Sequence, residues 1–222
     1  GGSFRAAVLG VNDGLVSNFS LVMGVAGGTD RHEIILLAGV AGLLAGAFSM
    51  AAGEYVSMRS QRDVYEHQIN LKRTEIEMWP EGEEKELSLI YQAKGLSKKE
   101  AEIIAKRLIA DPEIALDTMA REELGLNPSE LGSPWGASFS SFAAFVTGAL
   151  IPIIPYVVGA TDLAIPLSAV LSAGALLTVG GALAWMTNRS AIWGALRMAL
   201  AGGAAATVTF GVGSLIGISL ST

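Results

Sequence analysis

The chain has 222 residues, of which 51% are hydrophobic and 16% charged, against about 25% charged in a soluble globular domain. It contains no Cys, which excludes disulfide frameworks, thiolate metal sites and Cys nucleophiles. The net charge of −6 argues against nucleic acid as a partner.

The charge is unevenly placed. Residues 59–130 hold 11 of the 15 Lys and Arg and 16 of the 21 Asp and Glu. Hydrocarbon is the solvent that strips charge from the rest, since a charge at the bilayer centre costs at least ~2.5–3.5 kcal/mol. Five segments are long enough to span about 30 Å of hydrocarbon. They run from about Phe4 to Ala26, Glu33 to Met58, Trp135 to Val158, Leu163 to Met186 and Ala191 to Leu220. The first has no charged n-region or cleavage site and is read as part of the mature fold. Short connections at Gly27–His32, Gly159–Asp162 and Thr187–Ser190 make a hairpin of spans one and two and a zigzag of the other three. The expected fold is an all-α membrane protein in three parts: spans one and two over 1–58, an all-α insertion over 59–134, and spans three to five over 135–222. Arg5, Arg59, Arg62, the insertion and Arg189 fall on one side, which the positive-inside rule makes cytoplasmic.

The insertion is not a linker. Residues 59–79 lack Gly and Pro, so span two is expected to continue as one long helix until Pro80 and Gly82 break it. Glu83–Lys94 reads as a second helix with Leu87, Ile90 and Tyr91 on one face, closed by Gly95. Ser97 with Glu100 forms a capping box for a third helix over Ser97–Ala110. Asp111-Pro112-Glu113 has the form of N-cap, N1 and first-turn acid of a fourth, ending at Gly125. Spans three to five are rich in small residues, including Gly213 and Gly217, which permit close helix packing in lipid. Pro152 and Pro155 interrupt span three.

Asp13 carries the most information. It stands about nine residues into span one, roughly 14 Å of helix at 1.5 Å per residue. A carboxylate at that depth faces a cavity, a partner or a cation, and Asn12, Ser17, Asn18 and Ser20 add polar atoms beside it. Span two stacks Met50, Glu54 and Met58 on one face, and an antiparallel hairpin brings Met50 and Glu54 to a depth near Asp13. Carboxylate oxygens with a thioether sulfur suit Fe²⁺ or a neighbouring transition ion better than Ca²⁺ or Mg²⁺. A carboxylate that releases metal when protonated also couples metal movement to protons. In the insertion, Glu83 and Glu86 share a helix face, as do Met119 and Glu123. With Glu75 these could enclose metal ions. His32 and His67 are lone histidines and are left outside the ligand set.

At Asp13-Gly14-Leu15 and over Gly46–Tyr55 (GAFSMAAGEY) the sequence resembles the vacuolar iron transporter family. The resemblance extends along essentially the whole chain, including the polar insertion, Glu122-Glu123-Leu124-Gly125-Leu126 and Pro152-Ile153-Ile154-Pro155-Tyr156. It implies a five-helix homodimer with the pathway between protomers, and proton-coupled export of Fe²⁺ from the cytosol. By position it assigns Asp13 and Met50 to the path, and Glu75, Glu83, Glu86, Met119 and Glu123 to metal binding ahead of transport. Fe²⁺ is then the substrate, with Zn²⁺, Mn²⁺ or Co²⁺ as other occupants of the insertion. Two departures stand out. Plant members of the family carry acids where this chain has Gly42 and Lys72, so the path has one acid fewer and the cluster holds fewer ions or a different arrangement. Glu54 is the residue placed to compensate in the path. The Gly1-Gly2-Ser3 start reads as a junction, and some bacterial members carry a ferritin-like domain ahead of this fold.

The leading expectation is a transporter. Its partners are a second copy of the chain, membrane lipid, transition-metal ions and protons. The competing one is a membrane-anchored metal-binding or sensing module, which has no need of Asp13. An enzyme is not expected, because the chain shows no nucleophile–base pair, nucleotide loop or HExxH-type motif. A bacterial inner membrane is the favoured location, and a vacuolar membrane if the source is eukaryotic.

Overall fold

The structure, a computed structural model, describes residues 2–128, 131–160 and 162–221. Gly1, the Arg5 side chain and Thr161 of the expected Gly159–Asp162 connection lie outside what is described. Among the described residues every regular element is helical: α1 Gly2–Gly28, α2 His32–Met78, α3 Pro80–Ala93, α4 Lys98–Ile109, α5 Pro112–Glu122, α6 Pro134–Leu150, a 3₁₀ turn at Ile151–Ile153, α7 Ile154–Val157, α8 Ala164–Met186 and α9 Ala191–Ser221. Among the described residues five helical stretches are long and apolar enough to cross a membrane, the third running from α6 through the 3₁₀ turn into α7. This is a multi-pass membrane protein.

The chain divides into two compact units, residues 1–56 with 133–222, and residues 57–132. In the first, α1 is the central helix, packed against α6, α8 and α9. Small residues make this possible. A Cβ on Gly14 would lie 2.2 Å from the Phe145 carbonyl oxygen, and one on Gly213 would lie 1.8 Å from the Gly24 carbonyl oxygen. Backbones this close leave no room for a side chain, and hydrocarbon gives apolar helices no other strong reason to associate. Around them Leu15, Val22, Phe145, Ile153 and Leu176 form the buried core. α2 meets this bundle through side chains: Phe145 lies over Gly46, and Tyr55 stacks on Trp135 with ring centroids 4.8 Å apart.

Span three breaks at its prolines, as expected, because neither Pro152 nor Pro155 can donate to the preceding turn. The break is sealed by Ser168, whose hydroxyl donates to the Pro152 carbonyl at 2.7 Å. Trp135, Trp185 and Trp193 are exposed, at the start of α6, the end of α8 and the start of α9. In an antiparallel zigzag those ends share one side, where amphipathic rings mark the membrane–water interface. Arg197, a charge in the second turn of α9 that the sequence reading leaves unplaced, is exposed and close enough to that end to reach water by snorkelling.

In the second unit the capping signals act as the sequence predicts. Ser97 and Glu100 form the complete capping box of α4. Asp111 accepts from the backbone N–H groups of Glu113 and Ile114, with Pro112 at the first helical position of α5. Gly95 and Gly125 adopt φ of +102° and +65°, the left-handed conformation that ends a helix. The second helix differs from expectation. It starts at Pro80 rather than Glu83, because proline at N1 opens a helix as readily as it stops one. Ile76, Leu87, Ile109, Leu116 and Met119 form this unit's core.

Candidate functional site

Asp13, Met50 and Glu54 line one open-sided cavity of about 460 Å³ in the first unit, together with Ser17, Asn18, Leu21, Gly42, Gly46, Ser49, Gly53 and Phe145. Its depth follows from α6. Gly14 touches the Phe145 backbone, and Phe145 is ten residues beyond the interfacial Trp135, roughly 15 Å at 1.5 Å per residue. That is about half of a 30 Å hydrocarbon layer. The Asp13 side chain is exposed to this space rather than packed into the helix bundle. The glycines and serines on the α2 wall, at positions 42, 46, 49 and 53, give the cavity its width.

The depth also positions Asn18. Its side-chain amide donates to the Ala149 carbonyl at 2.7 Å, in the last turn of α6 where carbonyls lack intrahelical donors. Its own oxygen is fully buried with no hydrogen-bond partner, a state that ordinarily costs ~1–3 kcal/mol. The sequence marks Asn18 only as one of several polar neighbours of Asp13. Nothing in its spacing distinguishes it from Ser17 or Ser20.

In the second unit Glu75, Glu83, Glu86 and Glu123 do come together, and they do so around Lys72. The Lys72 ammonium stands 2.7 Å from Glu75, 3.2 Å from Glu83, 3.9 Å from Glu86 and 2.7 Å from Glu123, with its side chain only 6% exposed. One cation among four carboxylates leaves a net charge of three negatives if all are ionised. Burial raises the pKa of Glu83, against the opposing pull of its hydrogen bond and charge interaction with Lys72. Oxygens of Glu83, Glu86 and Glu123 lie within 4.8 Å of one another, a spread one divalent ion with bonds of roughly 2.0–2.6 Å can bridge. The residues therefore fit a metal ion by charge and donor type, with Lys72 as a competing internal cation.

Met119 is fully buried in the apolar core of this unit, one turn from Glu123, whose backbone N–H donates to the Met119 carbonyl at 2.9 Å. Glu122 pairs with Lys94 instead of joining the cluster. His67 is exposed. His32 packs on Tyr156 with ring centroids 4.9 Å apart, apart from both groups of acids.

Comparison with known proteins gives the family. The model of the VIT family matches residues 4–214. The chain belongs to the VIT family. Similar family members include a vacuolar iron transporter of Acanthamoeba castellanii, 38% identical over 96% of this chain and 78% of that protein. A vacuolar iron transporter 1 of Eucalyptus grandis is 32% identical over 96% and 86%, and one of Arabidopsis thaliana is 32% identical over 93% and 83%. These relatives are named as iron transporters.

Proposed function

We propose that this VIT-family chain carries Fe²⁺, or a similar divalent transition-metal ion, out of the cytosol in exchange for protons. The observation that carries the reading is the cavity in which Asp13, at about mid-membrane depth, shares the lining with Met50 and with Glu54, which lies nearer the Trp135 end. A carboxylate there is expensive unless it meets a cation or a proton. A thioether next to it biases the site toward softer transition ions. Asp13 and Glu54 hold the ion in turn as carboxylates, and each releases it on protonation. The transport step and the proton step then use the same oxygens. The relatives' names support iron as cargo.

The second unit is the collecting device. It is the cytoplasmic insertion of the sequence reading, and Glu75, Glu83, Glu86 and Glu123 draw the ion from water, with Met119 as a candidate sulfur donor and Zn²⁺, Mn²⁺ or Co²⁺ as other occupants. Lys72 neutralises part of the cluster while no metal is bound. The cavity is open-sided in one protomer, and a second copy of the chain closes it in a homodimer.

Reconstitution tests the reading. Proteoliposomes containing an Fe²⁺-sensitive dye are given external Fe²⁺ with and without an imposed pH gradient. Uptake that follows the gradient supports proton-coupled transport. Absent uptake, with metal still bound by the detergent-solubilised chain, returns the membrane-anchored binding module. Chemical cross-linking in the same vesicles reads the dimer.

A further inference from the structure

The fixed orientation of the Asn18 amide assigns a place to its oxygen. A carbonyl oxygen only accepts, so the hydrogen bond to Ala149 requires the NH₂ end of the amide to face α6. Oδ1 then points the other way, toward α2. A Cβ built on Gly42 would lie 2.9 Å from Asn18 Oδ1 and 2.2 Å from Leu21 Cδ2. The missing side chain at Gly42 thus leaves a notch in α2. A Leu21 methyl group fills that notch, and the amide oxygen lies behind it. Asn18 is 1% exposed, and its oxygen makes no hydrogen bond. All three residues line the same cavity as Asp13 and Met50.

We propose that Asn18 Oδ1 is a further cation-binding station of this cavity, kept covered by Leu21, for a partly hydrated divalent transition-metal ion. The proposal rests on the transport reading above. Asn18 lies five residues beyond Asp13, about 7.5 Å further along α1, on the far side of Asp13 from the Trp135 end. A neutral amide oxygen is a hard donor that divalent ions accept. It holds them less tightly than a carboxylate, as a station must from which an ion is to leave. Leu21 is 38% exposed and has room to turn off Gly42. An ion arriving from Asp13 displaces the leucine methyl, takes Oδ1 as a ligand and keeps the rest of its shell as water and neighbouring oxygens. A hydrophobic cover over a polar station is a gate.

The test is initial-rate Fe²⁺ uptake by the full chain in proteoliposomes, comparing wild type, Leu21→Ala, Asn18→Leu, Asn18→Asp and the Leu21→Ala/Asn18→Leu double variant. The expected result is that Asn18→Leu lowers the maximal rate about tenfold with little change in KM, as for a raised internal barrier. Leu21→Ala raises the maximal rate severalfold, and that gain vanishes in the double variant. Asn18→Asp lowers KM and maximal rate together, because a charged station holds the ion longer. If Asn18 merely braces α1 against α6, the Leu21→Ala gain survives in the double variant, and the station is overturned. If Asn18→Leu does not fold, Leu21→Ala alone decides, and wild-type kinetics in that variant overturn the proposal. A wild-type chain without flux overturns the transport reading and the station with it.

Discussion

The Lys72 ammonium stands 2.7 Å from a carboxylate oxygen of Glu123, and that contact joins α2 to the C-terminal cap of α5 through a charge buried among four acids. The ammonium occupies oxygens that a divalent metal ion bound at this cluster would also need. Replacing Lys72 by Gln removes the internal competitor. Isothermal titration of the detergent-solubilised chain with Mn²⁺ is expected to show affinity raised at least about tenfold, or ~1.4 kcal/mol. The metal-free variant is expected to melt at lower temperature than wild type, with added metal restoring it. Unchanged affinity would mean that the metal and Lys72 do not share ligands.

Burial raises the Glu83 pKa, so this acid takes up its proton at higher pH than an ordinary glutamate does. Only the carboxylate form binds metal. Mn²⁺ binding is therefore expected to weaken as pH falls from neutral into the acid range. Glu83→Gln is expected to bind more weakly at pH 7 and to lose about one proton from the pH dependence. A slope identical to that of wild type would place the titrating group elsewhere.

Gly14 packs its α-carbon against the α6 backbone. Because the obstacle to a Cβ is the Phe145 carbonyl oxygen at 2.2 Å, no rotamer change can relieve it. Gly14→Ala is expected to push α1 from α6 and cost ~1–3 kcal/mol, read as a lowered melting temperature in detergent. Gly53, where a Cβ meets nothing within 4 Å, is the matched control, and its Ala variant is expected to keep the wild-type melting temperature. Equal melting temperatures for all three would contradict the packing.

Ser97 closes α4 through both hydrogen bonds of its capping box. Ser97→Ala is expected to cost ~1 kcal/mol and to speed amide exchange in the first turn of α4 while leaving Fe²⁺ uptake unchanged. Loss of uptake would give this helix end a role beyond folding.

Much of this was legible in the sequence because the signals are local. Charge-free stretches set the spans, and the capping box, Asp111-Pro112 and Gly125 set helix ends in the second unit. Asp13 announces itself by being a carboxylate at depth. The start of α3 at Pro80 was misread, since the same residue stops one helix and opens the next. In the sequence Lys72 is a departure at one position, but its partners lie on three different helices, and no periodicity predicts that four acids converge on it. The buried oxygen of Asn18 depends on a carbonyl in α6, far away in the chain, and on a missing side chain at Gly42. Only the folded chain brings those together.

The transport reading stands or falls on whether metal crosses through the cavity lined by Asp13. The most direct measurement is gradient-driven Fe²⁺ uptake by proteoliposomes carrying Asp13→Ala beside wild type, with metal binding by the second unit measured on the same samples. Asp13→Ala is expected to lose uptake by at least about a hundredfold while its acid cluster binds metal as before. Uptake by Asp13→Ala at the wild-type rate would contradict it.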